Sequence, residues 1–281
     1  MPQRSLLPCR RGNLLHNPGA EDGLASQSGE TTVTIPGWTT TGAFTVVPYG
    51  GGGAPDFFTF PPTSESQRIK GGKTFFAGGY QAGTSSATQT VDVSAGAPLI
   101  DANRVGATLG GWLGGFLSEP DPGTVEATFL GDAGTSLGSL KIGPVTPDER
   151  NRDLKFVQKA ASGAVPSGTR SIRIVVTAVQ QEGTYADAYF DNLDLQLQGP
   201  QVKITRHCAA KKHVTLRATI PAGLTARSVS FRLAGKSHVD RKAPFTASFT
   251  LRGKGGLATA SALLVVGGKP ITIPGKLVVG C

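Results

Sequence analysis

Residues 214–220 read Val-Thr-Leu-Arg-Ala-Thr-Ile, with apolar and polar side chains in strict alternation. A period of two puts Val214, Leu216, Ala218 and Ile220 on one face of an extended chain and Thr215, Arg217 and Thr219 on the other, the signature of a half-buried β-strand. The pattern returns at Val229, Phe231 and Leu233 and, after Pro244, at Phe245, Ala247, Phe249 and Leu251. Shorter strand-like runs occupy 202–208, 263–266, 271–273 and 277–279, so seven strands are predicted beyond residue 200. Upstream, strands are predicted over 31–35, 43–47, 75–80, 87–93, 104–109, 124–130 and 171–179. With 39 Gly and 19 Pro to interrupt it, such a chain is all-β. One short helix is expected within 146–160, where Pro147 suits a first turn. Residues 50–63 read as a long loop carrying Phe57, Phe58 and Phe60. No apolar run reaches the ~18 residues of a membrane span.

Charge divides the chain in two. Residues 1–199 carry net −4, whereas residues 200–281 carry 14 basic residues and the single acid Asp240, net +13. The step falls at Gln198-Gly199-Pro200-Gln201, where Gly and Pro interrupt the strand pattern. The expected organisation is a disordered tail at 1–12, a first β-domain at 13–198 and a basic β-domain at 201–281. The tail has basic residues but no apolar stretch, so it is not a secretory signal.

Two segments about 170 residues apart carry a family likeness. Asn13-Leu14-Leu15-His16-Asn17-Pro18-Gly19-Ala20-Glu21-Asp22-Gly23 opens the first domain, and Tyr185-Ala186-Asp187-Ala188-Tyr189-Phe190-Asp191-Asn192-Leu193-Asp194-Leu195 closes it. Together they resemble the galactose-binding-like jelly rolls of secreted carbohydrate-binding modules. Residues 71–93 and 107–115 add to the likeness. It implies that the first and last strands pair, and that Glu21 and Asp191 meet at a structural calcium site. Calcium needs six to eight oxygens, and carbonyls of the Asn17–Gly19 turn complete the expected shell, with Asp22 and Asp187 in reserve. In the second domain, the stretch from Val229 through Gly235-Lys236 to Phe249 is similar to bacterial Ig-like modules, in which Gly-Lys marks a hairpin tip.

Sugar binding needs flat aromatic faces and a few orienting polar groups. Trp112, between Gly110-Gly111 and Gly114-Gly115, is a candidate because glycines let a ligand approach a strand. Tyr80, Tyr185, Phe57 and Phe58 are further candidates, in loop-like sequence. Trp38 reads as core. Cys208 and Cys281 stand at opposite ends of the basic domain, so a bridge between them is expected, and with it an oxidising, extracellular or cell-surface location. Cys9 falls in the tail.

Catalytic motifs are missing: there is no G-x-S-x-G, H-E-x-x-H or C-x-x-C. Glu119, Asp121 and Glu126 lie among prolines and a glycine and read as a solvated turn. The +13 domain should adhere to polyanions such as an anionic wall polymer. Specific nucleic-acid recognition is not expected, since Phe231, Phe245 and Phe249 are in core phase and leave no stacking platform. The favoured reading is a noncatalytic protein that binds polysaccharide or cell-wall glycan, with the basic domain as spacer or wall-adhering module. Two others stay open: a structural surface protein that uses its jelly roll for protein contacts, and a noncatalytic fragment of a secreted carbohydrate-active enzyme.

Overall fold

The structure is a computed structural model; it describes residues 12–51, 59–209, 213–251 and 256–279. Those residues form two compact units, Gly12–Ser94 with Gly106–Gln196, and Ala95–Val105 with the chain from Leu197 onward. The boundary near 197 follows the charge step. The excursion at 95–105, which holds helix α2 (Ala97–Asp101), groups with the second unit and has no counterpart in the charge or strand pattern.

Ten antiparallel strands build the first unit: β1 (Thr39–Thr41), β2 (Thr45–Pro48), β3 (Thr74–Tyr80), β4 (Thr84–Asp92), β5 (Gly106–Gly115), β6 (Gly123–Leu130), β7 (Ser136–Ile142), β8 (Phe156–Ala164), β9 (Ser171–Val179) and β10 (Tyr185–Gln198). They lie in two sheets ordered β1-β4-β9-β6-β7 and β2-β3-β10-β5-β8. From β3 to β10 the chain crosses between the sheets at every step but the β6–β7 hairpin, the winding of a jelly roll. Alternation sets what each strand buries. Ile172, Ile174, Val176 and Ala178 of β9 are buried in the sandwich, as are Phe44, which precedes β2, and Phe76 and Phe190 of the facing sheet; Phe44 stacks on Phe190 and lies tilted against Phe76.

The outer face of the β2-β3-β10-β5-β8 sheet carries a second apolar cluster. Tyr49, Phe60, Phe75, Phe156, Tyr185 and Tyr189 are buried there, with Trp112 and Phe116 packed at its edge. Helix α1 (Thr63–Ile69) contributes Ile69 to this cluster. Strand β10 is therefore buried on both faces from Tyr185 to Asp191. The first and last segments meet as expected: Leu14 N–H donates to Leu195 O at 2.9 Å, and the Asn13 side chain bonds Leu193 O and Leu195 N–H at 2.6 and 3.0 Å.

Two expectations fail locally. Residues 31–35 form no strand, and residues 146–155 form turns rather than a helix. Thr146 N–H is capped by Glu149 Oε2 at 2.9 Å, but the chain turns away and enters β8 at Phe156. The helix instead follows the Phe-rich loop, ending at Lys70 in the left-handed conformation.

Seven antiparallel strands form the second unit: β11 (Lys203–Ala209), β12 (His213–Thr219), β13 (Ala226–Leu233), β14 (Lys236–Asp240), β15 (Thr246–Thr250), β16 (Gly256–Val266) and β17 (Lys269–Val279). Sheets β11-β12-β15 and β14-β13-β16-β17 enclose Leu216, Phe231, Phe249, Leu264 and Ile273. The β13–β14 turn is Ala234-Gly235, both at positive φ, the backbone a two-residue hairpin prefers. Residues 271–273 and 277–279 belong to one strand, β17. As an edge strand it tolerates Pro270 and Pro274.

Candidate functional site

Three polar constellations stand out in the first unit. The first joins its two signature segments. Asp191, 0% exposed, accepts from the Tyr49 hydroxyl at 2.5 Å and from Asn192 N–H at 2.6 Å. Burial, with the nearby Glu21 charge as a smaller contribution, pushes its carboxyl up to about 8. Glu21 Oε1 accepts from Lys73 N–H, Thr74 N–H and the Thr74 hydroxyl at 2.8, 3.0 and 3.2 Å. Every one of these partners is neutral.

Bare backbone forms the floor of this site. A Cβ on Gly71 would collide with Asp191 Oδ2, and one on Gly72 with the Glu21 carboxylate. A Cβ on Gly19 would lie 3.3 Å from Asp191 Oδ1. The structure thus brings Glu21, Asp191 and Gly19 together. Asn17 is used otherwise: its Oδ1 accepts from Asp22 N–H at 2.9 Å, its Nδ2 donates to Asp22 O and Pro36 O, and its carbonyl accepts from Trp38 Nε1 at 3.1 Å. It braces the turn, and Trp38 is core.

The second constellation has no trace in the sequence pattern. Glu119, Asp121 and Asp187 bring carboxylate oxygens within 4.8 Å of one another. The solvated turn expected here is a buried knot. Asp121 Oδ1 accepts from Gln181 and Glu182 N–H at 2.7 and 3.1 Å, and its Oδ2 from Asp187 N–H at 2.8 Å. Asp187, 2% exposed, accepts from the Tyr189 hydroxyl. Burial, then sharing with Glu119, pushes its carboxyl up to about 9. Arg150, 2% exposed, supplies the cation and donates to the carbonyls of Leu117, Glu119 and Asp153. Burial lowers the guanidinium's affinity for its proton, against the pull of the acids.

The third is the open part of the outer sheet face. Thr108, Gly110 and Trp112 of β5 face outward, between Gln158, Ala160 and Ser162 of β8 and Asp194 and Gln196 of β10. Gln196 Nε2 holds Asp194 Oδ2 at 2.6 Å, and the Thr108 and Ser162 hydroxyls are 2.9 Å apart. Most glycines near Trp112 are demanded by packing, since a Cβ on Gly111 or Gly114 would meet neighbours at 2.8 and 2.9 Å. Gly110 is different: a Cβ there would meet nothing closer than 3.7 Å.

Trp112 itself is half-buried, and the Arg68 guanidinium lies 5.0 Å from its ring centroid, a cation–π contact. Glu65 fixes that arginine through bonds of 2.7 and 2.5 Å, and Arg68 also donates to Phe156 O. Of the other predicted platforms, Tyr185 is 5% exposed inside the aromatic cluster and presents no face to solvent. Tyr80 is 37% exposed at the end of β3, apart from the open strip on β5. Phe57 and Phe58 lie outside the described residues. In the second unit Cys208 is disulfide-bonded; its expected partner, Cys281, also lies outside the described residues. Arg206 Nη1 donates to Val278 O at 3.0 Å, which sets β11 beside the end of β17.

No family model and no characterised protein matches the sequence. Among solved structures, the chain is similar to the enzymatically active domain of tailspike protein 4 of bacteriophage CBA120, at 18% identity and a TM-score of 0.37. That match covers 66% of this chain and only 21% of the tailspike chain. The CBM22-1 xylan-binding domain of Paenibacillus barcinonensis Xyn10C matches at 17% identity and a TM-score of 0.32, over 64% of this chain and 97% of its own. A family 16 carbohydrate binding module matches at 16% identity and a TM-score of 0.37, over 65% and 99%. At such scores these likenesses carry no weight for function.

Proposed function

We propose that the first unit is a noncatalytic polysaccharide-binding module acting outside the cell or at its surface, and that its glycan lies across β5 at Gly110. The observation that carries this reading is the bare strand at that position. A glycine inside a strand costs roughly 0.5–1 kcal/mol relative to alanine, and no neighbour in the fold requires this one. A ring stacked beside Trp112 would find the Asp194 carboxylate, the Gln158 and Gln196 amides and the Ser162 hydroxyl within its reach from the adjacent strands. Arg68 occupies one side of the indole, so the remaining surface is what a sugar would contact.

The Glu21–Asp191 site suits a calcium ion in a structural role. It offers hard oxygen donors, its hydrogen-bond partners are neutral, and its glycine floor admits nothing bulkier than backbone. Calcium bound there would offset the charge of two carboxylates that the fold forces together. The second unit we read as an Ig-like spacer, with Cys208 joined to Cys281.

Gly110→Val and Trp112→Ala test the binding site in affinity electrophoresis against neutral xylan, mixed-linkage glucan and galactomannan. The valine has room for its Cβ, so the melting temperature should hold while retention is lost. The alanine should cost about 1.5 kcal/mol, roughly tenfold in affinity. If the unaltered chain is retained by no neutral polysaccharide in the panel, the reading fails.

A further inference from the structure

The registers of the three-stranded sheet order its exposed face in a way that composition alone does not show. Lys203 stands opposite Thr219, Thr205 opposite Arg217, His207 opposite Thr215, and Ala209 opposite His213. All of these residues point away from the core formed by Ile204, Val214, Leu216 and Ala218. Each basic side chain lies one row on from the last and on the alternate strand, so Lys203, Arg217, His207 and His213 trace a zigzag along β11 and β12. Diagonal neighbours in an antiparallel pair are about 7–8 Å apart, and no two bases face each other directly.

Hydroxyls fill the positions between the bases. Thr219, Thr205 and Thr215 are the cross-strand partners of three of them, and Thr246, Ser248 and Thr250 extend the rows on β15. The Thr215 and Ser248 hydroxyls are 3.0 Å apart, and Thr250 Oγ1 lies 3.2 Å from His213 Nδ1. Among the described residues this face carries no carboxylate. Asp240, the one acid of residues 200–281, is spent on the N–H groups of Lys242 and Thr246 at 3.0 and 2.8 Å.

We propose that this face is a docking track for a phosphodiester-linked polyol chain, held by the zigzag of Lys203, Arg217, His207 and His213 and by the hydroxyls between them. Guanidinium forks and Ser/Thr hydroxyls are the donors that phosphate oxygens take. A base-stacking partner is disfavoured because Phe231, Phe245 and Phe249 are all buried. A protein partner would want an apolar anchor, and this face offers none. Each exposed charge contributes little alone, so binding rests on many phosphates engaging a repeated row.

The test uses the full chain and an immobilised poly(glycerol phosphate), with single-stranded DNA and polygalacturonate as comparison polymers. The unaltered chain should bind the phosphate polymer at pH 7.5, and 0.5 M salt should abolish that binding. The double variant Lys203→Ser/Arg217→Ser should lose about tenfold. Arg232→Ser/Lys276→Ser removes equal charge from the outer face of the four-stranded sheet and should leave binding unchanged. The proposal is overturned if the unaltered chain does not bind the phosphate polymer, if the second variant loses as much as the first, or if DNA or polygalacturonate binds as tightly as the phosphate polymer. Retention on neutral glycans belongs to the first unit and is measured separately, so the two proposals can fail independently.

Discussion

Asp187 and Asp191 lie on the same strand, β10, both buried and both holding their protons more tightly than an ordinary carboxyl, yet the fold treats their charges in opposite ways. Around Asp187 the balance is internal: Arg150 brings a guanidinium, Tyr189 a hydroxyl, and Glu119 a second carboxylate to share with. Around Asp191 and Glu21 only neutral donors are found, over glycines that leave the carboxylates against bare backbone. The knot carries its own cation, with Glu119 Oε2 and Arg150 Nε left without a hydrogen-bond partner among the described residues; the pole at the meeting of the two ends is braced by neutral donors. A raised carboxyl is therefore not one kind of feature, and the identity of its neighbours decides what it is for.

The most damaging change to this contrast is Arg150→Met. It leaves three carbonyls without their donor and three carboxylates without a counter-ion, so it should cost about 3–5 kcal/mol in urea unfolding. A loss below about 1 kcal/mol would mean that the acids are neutralised without the arginine. Next in size is calcium. Excess chelator should destabilise the first unit by about 2.7 kcal/mol relative to calcium at a hundredfold excess over its dissociation constant. Asp191→Asn should abolish that response and Asp187→Asn should keep it; the reverse pattern would show the two acids to have been assigned the wrong way round.

The smallest effect separates the two acids by pH. The folded Asp187 carboxyl sits at about 9 against 3.8 when unperturbed. Between those values the folded chain binds a proton that the unfolded chain releases, so stability falls as pH rises through that window. Asparagine mimics the protonated form, accepting from Tyr189 and donating toward Glu119. Asp187→Asn should therefore flatten the pH dependence, by on the order of 1–2 kcal/mol between pH 7.5 and 9. Parallel melting curves for the two proteins across that range would remove the shared proton from the account.

Sequence patterning reached the pole but not the knot, for a physical reason. Glu21 and Asp191 sit in recognisable segments whose pairing follows from the winding of the chain. Asp121 owes its burial to N–H groups of residues 181, 182 and 187, and a local run of prolines and acids carries no trace of them. Strands with one buried face were legible, and β9 has the predicted bounds Ser171–Val179. Strands β7 and β8 were missed because they are sheet edges, and β7 is exposed along most of its length, with no periodicity to read. Helix α1 has only seven residues and no side-chain cap; its burial of Glu65 and Ile69 against the sheet, rather than its propensity, holds it in place. Gly110 stood out only as one of several glycines, because its distinction is that its neighbours leave room for a Cβ at ordinary contact distance.

The way the first unit closes has a mechanical consequence. Residue 14 meets residue 195 and residue 18 meets residue 193, so the opening segment and β10 run in opposite directions, and Asn13 and Gln198 emerge at the same end. Tension applied through those two points, as between an anchored surface and a bound fibre, would load the hydrogen bonds of Asn13 and Leu14 one after another instead of together. The opening segment would peel before the sheets are strained, carrying Gly19 and Glu21 away from Asp191. An ion that bridges Glu21 and Asp191 would then act as a clasp against pulling force, and the load the module withstands would depend on the calcium concentration around it.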